Sequence, residues 1–177
     1  MHKRLQSGSK MRRWIIALIL ISGCIKPAPP LPKITRDTFI EISLTGGGIY
    51  GGINPTIENV KEIKNNGEIL LSSKALYTGS QKYSKKNSRA QVEDLAGYIM
   101  DRDFFKMRDV YDCRKWDKNC ESRKSNYPPA VPLTISVTIG NLSKTITVTV
   151  FEKGAADYPK NLEAIVTKIN EAVDQAR

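Results

Sequence analysis

Leu133 to Phe151 reads LTISVTIGNLSKTITVTVF, and its alternation decides the fold. Leu133, Ile135, Val137 and Ile139 alternate with Thr134, Ser136 and Thr138. After a turn region at Gly140-Asn141, Ile146, Val148 and Val150 alternate with Thr145, Thr147 and Thr149. Successive side chains of a strand point to opposite faces, so this is an antiparallel hairpin with one dry, branched face and one hydroxyl-rich wet face. A slip of one residue would carry every branched side chain into water, so the register is well specified. The threonine face is ordinarily plain solvent surface, and a binding face is the alternative.

Two amphipathic segments flank the hairpin. Downstream, Asp157 and Pro159 open an element in which Leu162, Ile165, Val166, Ile169 and Val173 form one apolar stripe at helical spacing. Upstream, Ser88-Arg89-Ala90-Gln91 fits a capping box, and Val92, Leu95, Ala96, Ile99 and Met100 recur behind it. Both helices are expected on the same sheet face. Phe104, Phe105 and Met107 follow the first helix and read as core plugs, with an aromatic-lined pocket as the rival.

Further upstream the strand signals resume. IENVKEIKNNGEILLS, residues 57 to 72, carries Asn66-Gly67 between two strand-like runs, and a type I′ hairpin turn is expected because both residues tolerate positive φ. Leu76 to Tyr83 reads as one more strand and Ser84-Lys85-Lys86-Asn87 as a polar loop. Thr38 to Leu44 alternates, with Ile40, Ile42 and Leu44 on one face. The glycines at 46–48 and 51–52 read as a flexible connection, since the Lys-Ser/Thr of a phosphate-binding loop does not follow them. The expected fold is α+β: an antiparallel sheet of five to six strands with two helices packed on one face, formed as one domain by residues 38–177.

The chain ahead of this domain carries an address. In MRRWIIALILISGC, residues 11 to 24, Arg12 and Arg13 form a positive region, Trp14 to Ile21 an apolar one, and Ile21-Ser22-Gly23-Cys24 a small-residue site ending on cysteine. The apolar run has about half the roughly 20 residues that a transmembrane helix needs. The motif resembles the lipobox of bacterial lipoproteins. The resemblance implies a signal peptide over residues 1–23, starting from Met1 or, more compactly, from Met11, and a diacylglyceryl group on Cys24. Residues 24–37 then comprise the lipidated cysteine and a tether, whose prolines at 27, 29, 30 and 32 keep the chain extended. Ile25 stands where an Asp would, by the same resemblance, retain a lipoprotein in the inner membrane. A cell-envelope address is therefore expected, on the outer membrane facing the periplasm in a Gram-negative host.

Composition narrows the chemistry. The net charge is +10, but Lys3, Arg4, Lys10, Arg12 and Arg13 lie in the signal with no acid, which leaves an excess of about +5 on the rest. The remaining basic residues are spread out and nucleic-acid binding is not expected. The one histidine, His2, lies in the signal, which argues against Ser/His or Cys/His hydrolases and against a metal site. With Cys24 assigned to lipid, Cys113 and Cys120 remain as an even pair, expected as a disulfide that ties down the long loop Arg108 to Pro132. Asp101, Asp103, Asp109, Asp112 and Asp117 are interleaved with Arg and Lys, the pattern of a solvated surface. No cofactor is expected.

IENVKEIKNNGEILLSS, followed after a polar gap by SRAQVEDLAGYIMDRDFFKMRDVYD, resembles a family of uncharacterised secreted and lipoprotein domains of bacteria. In that family a strand and an Asp/Asn-Gly turn precede a helix, a Phe-Phe pair, a Tyr-Asp loop and a terminal hairpin with helix. The likeness, over most of Ile57 to Asp174, implies fold and address but no activity.

The expected function is a non-enzymatic binding module. It would be attached to the membrane through its lipid and would contact another envelope protein through the sheet face or through the long loop. In the loop, Tyr111, Trp116 and Tyr127 are the candidate anchors, being residue types that anchor interfaces. An inhibitor of an envelope hydrolase is one form of this reading. The alternative is a binder of anionic cell-wall polymer, peptidoglycan or lipopolysaccharide, through Lys82, Lys85, Lys86 and Arg89 with Arg114, Lys115, Lys118, Arg123 and Lys124. An enzyme would have to use Asp109, Asp112 and Asp117.

Overall fold

Leu133–Ile139 (β8) and Leu142–Val148 (β9) form the expected hairpin, closed by a two-residue connection in which Gly140 takes a φ of +59°. The computed structural model describes residues 31–46, 48–49, 56–75, 77–113, 117–125, 130–149 and 158–177. The other elements, in chain order, are Ile40–Thr45 (β1), Gly48–Ile49 (β2), Thr56–Ile63 (β3), Glu68–Ala75 (β4), Gly79–Lys86 (β5) and Arg89–Asp101 (α1). After these come a 3-10 turn at Phe104–Lys106, Val110–Tyr111 (β6), Lys118–Ser125 (α2), Ala130–Val131 (β7) and Lys160–Gln175 (α3).

The fold is α+β, with a seven-stranded sheet in the order β5-β4-β3-β1-β8-β9-β6. All its pairings are antiparallel except β6 with β9. β2 and β7 make a separate two-stranded ribbon, so part of the glycine-rich connection is paired. The strand expected over Leu76 to Tyr83 is β5, which runs on through Ser84-Lys85-Lys86, read as a loop, because an edge strand with nearly every side chain exposed needs no apolar alternation. Sheet and helices each exceed the expected count by one, for identifiable reasons. β6 is two residues long, below any period. α2 (KNCESRKS) buries Cys120 without an amphipathic stripe.

The dry face is assembled as the alternation demands. Ile40, Ile42, Ile63, Ile69, Ile135, Ile139, Ile146 and Val148 have no exposed surface, and the stripes of α1 and α3 join the same core cluster. Phe104 is fully buried and meets Phe105 edge to face at 5.7 Å, so the pair plugs the core. The capping box of α1 is present. The Ser88 hydroxyl accepts from the Gln91 N–H at 3.3 Å, and the Gln91 side chain accepts from the Ser88 N–H at 2.8 Å. α3 begins at Lys160 with Pro159 at the capping position. At its other end, Asn87 Nδ2 and Lys85 Nζ donate to the carbonyls of Ala172 (3.0 Å) and Val173 (3.2 Å), which the helix leaves unpaired.

Three segments meet at one corner. The Arg89 guanidinium pairs with Glu93 (2.8 Å) and donates to the carbonyls of Asn65 (2.7 Å), Thr38 (2.6 Å) and Thr35 (3.4 Å), and to the Asn65 side chain. The oxygen of that side chain also accepts from the Ile40 N–H at 2.8 Å. Ile34 packs against the core, so the last residues read as tether are held by the domain.

The turn at Asn66-Gly67 differs from the expected type I′. The Gly67 N–H donates to Lys64 and the Lys64 N–H to Glu68, enclosing a three-residue loop in which Gly67 alone has a positive φ, +86°. Gly67 also lies against the strand-to-helix junction, its carbonyl accepting from the Asn87 N–H at 2.8 Å. A Cβ at Gly67 would sit 2.1 Å from the Asn87 carbonyl oxygen, whereas one at Gly79, whose φ of +81° is similar, would meet nothing within 4 Å. The two glycines therefore separate strain from collision. Gly79→Ala is expected to cost about 1 kcal/mol and Gly67→Ala roughly 2–4 kcal/mol in chemical denaturation. Equal losses would show that the Asn87 contact carries no weight.

Candidate functional site

With Ile40, Ile42, Ile63, Ile69, Ile135, Ile139, Ile146 and Val148 turned toward α1 and α3, period two turns their neighbours to the opposite face. On the β8–β9 side that face is a field of hydroxyls paired across strands, Ser136 with Thr145 at 3.0 Å and Thr138 with Ser143 at 3.1 Å. Each pair shares one hydrogen bond across the strands.

The β3–β4–β5 side differs. Glu58, Val60, Glu62, Leu70, Ser72 and Lys82 line a concavity of about 500 Å³ with Tyr83 and Ser84. Leu70 faces Glu62 on one neighbouring strand and Ser84 on the other, and is 37 % exposed in the middle of a sheet face. Lys64 bridges Glu41 (2.6 Å) and Glu62 (3.0 Å), and its hydrogen bonds to these carboxylates raise its pKa above the usual lysine value. Apolar groups set among charges give a surface on which an apolar group would gain from burial and the charges would set orientation.

Tyr111, expected as an interface anchor, belongs instead to the core. It is 5 % exposed, because pairing with Val148 across β6–β9 turns its ring inward. The Arg108 guanidinium lies 4.8 Å from the ring centre, and the Arg108 N–H donates to its hydroxyl at 3.2 Å. Trp116, Tyr127 and the lipidation candidate Cys24 lie outside the described residues. The sulfur atoms of Cys113 and Cys120 are at bonding distance, with Cα atoms 5.6 Å apart. Cys120 is fully buried, and its N–H donates at 3.0 Å to Asp117, which caps the start of α2.

The carboxylates considered for catalysis have structural tasks. Asp109 pairs with Lys144 at 2.6 Å, Asp112 accepts from the Cys113 N–H and the Thr149 hydroxyl, and Asp117 is the cap just described. The proposed polymer-binding cluster is divided. Arg89 is committed to the corner and Lys85 to the end of α3, while Lys82 and Lys86 are exposed. Arg114 and Lys115 lie outside the described residues, as do the side chains of Arg123 and Lys124; Lys118 is exposed. Among the described residues no group of three or more His, Cys, Asp or Glu is placed to hold a metal, and no helix is long and apolar enough to cross a membrane.

No protein-family model matches the chain, and no curated protein matches it.

Two outcomes follow from these contacts. Replacing Cys113 and Cys120 together by serine reopens a short loop and is expected to cost roughly 2.5 kcal/mol on the chain-entropy model, read as a lower denaturation midpoint; an unchanged midpoint would leave the cross-link without a stabilising role. Lys64→Met is expected to cost under about 1 kcal/mol, since the ammonium is partly solvated. Because the pKa of Lys64 is raised on folding, that contribution is complete below its ordinary value of 10.5 and is lost as pH climbs through the folded-state value. The wild-type and Lys64→Met stability curves should therefore converge at strongly alkaline pH.

Proposed function

We propose that the protein is a lipid-anchored lipoprotein of the bacterial cell envelope and a non-enzymatic module that binds another envelope protein through the open side of its sheet. In a Gram-negative host it sits on the outer membrane, facing the periplasm. The single observation that carries the binding reading is the β3–β4–β5 concavity, where Leu70 lies exposed between Glu62 and Ser84 on a face that the core does not use. The lipid anchor rests on the signal and its terminal Cys24. The Cys113–Cys120 pair fits an oxidising compartment. Inhibition of an envelope hydrolase is one form that such binding takes. Adhesion to an anionic polymer is the weaker alternative, because Arg89 and Lys85 spend their charges inside the domain.

Palmitate labelling of cells carrying wild-type protein and Cys24→Ser should mark only the first. Labelling of both removes the anchor. Crosslinking and pull-down from envelope extract at low and high salt should retain one stoichiometric protein at both salts, and Leu70→Glu should release it. Recovery of only cell-wall or lipopolysaccharide material, lost at high salt, would replace protein binding by polymer binding.

A further inference from the structure

β5 is the outermost strand on its side of the sheet, and it pairs with β4 over all eight of its residues without a bulge. The direction of its main-chain groups follows from its two ends. Lys86 donates its N–H to the Arg177 carbonyl (2.7 Å) and accepts from the Arg177 N–H (3.4 Å), while the next N–H, of Asn87, turns inward to Gly67. Alternate residues of an antiparallel strand bond to alternate sides. Ser84, Lys82 and Ser80 therefore aim their N–H and C=O groups away from β4, in line with Lys86. Arg177 already exchanges both bonds with this edge, so the edge accepts main chain in the manner of a strand.

The side chains specify what kind of strand. Gly79–Lys86 reads GSQKYSKK, with Lys82, Lys85 and Lys86 and no acid. Lys82 and Lys86 share the open face and are exposed, and Lys82 is paired with no carboxylate among the described residues. Edge strands are commonly kept from pairing by shortness, proline, a bulge or charge. Here the strand is long and regular, and charge is the only one of these devices present. Two copies of β5 side by side would oppose lysine to lysine, whereas an acidic strand removes the repulsion and replaces it by attraction.

Building on the binding-module reading, we infer that the outer edge of β5 takes an extended acidic segment of the partner protein as an added strand. The Ser80, Lys82 and Ser84 main chain supplies the hydrogen bonds, and a Glu or Asp side chain of the segment meets Lys82, next to the position opposite Lys86 that Arg177 fills.

The test places a probe strand at high effective concentration by appending to the mature chain, after Arg177, a Gly-Ser linker and a Val-Glu repeat. A Val-Lys repeat on the same linker is the control. Residue-resolved amide hydrogen exchange is the readout. The Val-Glu tail should slow exchange at Ser80, Lys82 and Ser84 by about tenfold or more, and the Val-Lys tail should not. Lys82→Pro removes one outward N–H while sparing the bonds to β4, and should abolish the slowing while amides of α1 stay protected. Lys82→Glu with Lys86→Glu should transfer the preference to the Val-Lys tail. Equal slowing by both tails, slowing confined to other strands, or slowing that survives Lys82→Pro overturns the proposal. So does slowing of these amides by added lipopolysaccharide and not by the Val-Glu tail. If Lys82→Pro still retains the envelope partner that Leu70→Glu releases, the module reading stands and the edge reading falls.

Discussion

One guanidinium gathers the start of the sheet, its first hairpin turn and its first helix. Arg89 offers a planar fork of donors, and three carbonyls from two distant segments accept from it, with the Glu93 carboxylate supplying the opposite charge. Asn65, one of those partners, also accepts from the Ile40 N–H, so the entry of β1 and the turn between β3 and β4 are fixed by one shared oxygen. Immediately beside it, the Gly67 carbonyl receives the Asn87 N–H, with no room for a side chain between them. The orientation of α1 and the position of the β3–β4 turn are consequently set together.

The sequence made legible whatever rested on one-sided burial. β1, β8, β9, α1 and α3 each repeat an apolar residue at the period of their own geometry, and the expected side chains lie in the core, save Val150 of the β9 stripe, which lies outside the described residues. The capping box of α1 could be read because its donors and acceptors are three residues apart. What stayed hidden depends on partners far along the chain. The second half of β5, Ser84-Lys85-Lys86, has no dry face and read as a loop, so only its pairing with β4 identifies it as strand. Tyr111 in a charged loop looked like an interface residue until two residues of parallel pairing with β9 drew it inside. Arg89 and Lys85 looked like free surface cations because the carbonyls that occupy them belong to segments no local pattern connects.

The two halves of the open face have different chemistry for the same reason. On β8 and β9 hydroxyls face hydroxyls and share hydrogen bonds across the strands, a neutral polar coat. On β3, β4 and β5 carboxylates, lysines and exposed Leu70 alternate, so groups remain that another molecule can neutralise or bury. The charges on β5 then act twice, keeping like strands apart and favouring unlike ones, which is how repulsion contributes to specificity.

The central place of β1 has a kinetic side. Ile42 pairs with Ile63 on one flank and with Val137 on the other, so the second flank waits for roughly a hundred further residues, a long loop to close before its contacts reward the closure. A chain emerging from its N-terminus can form β1, β3, β4 and β5 as a meander, yet the innermost strand of the finished sheet is an open edge until β8 arrives. During that interval a strand whose Ile40, Ile42 and Leu44 end in the core has one flank open to other chains. A partner that shields such an edge while the chain is being made would act on the folding rate without adding anything to the final stability.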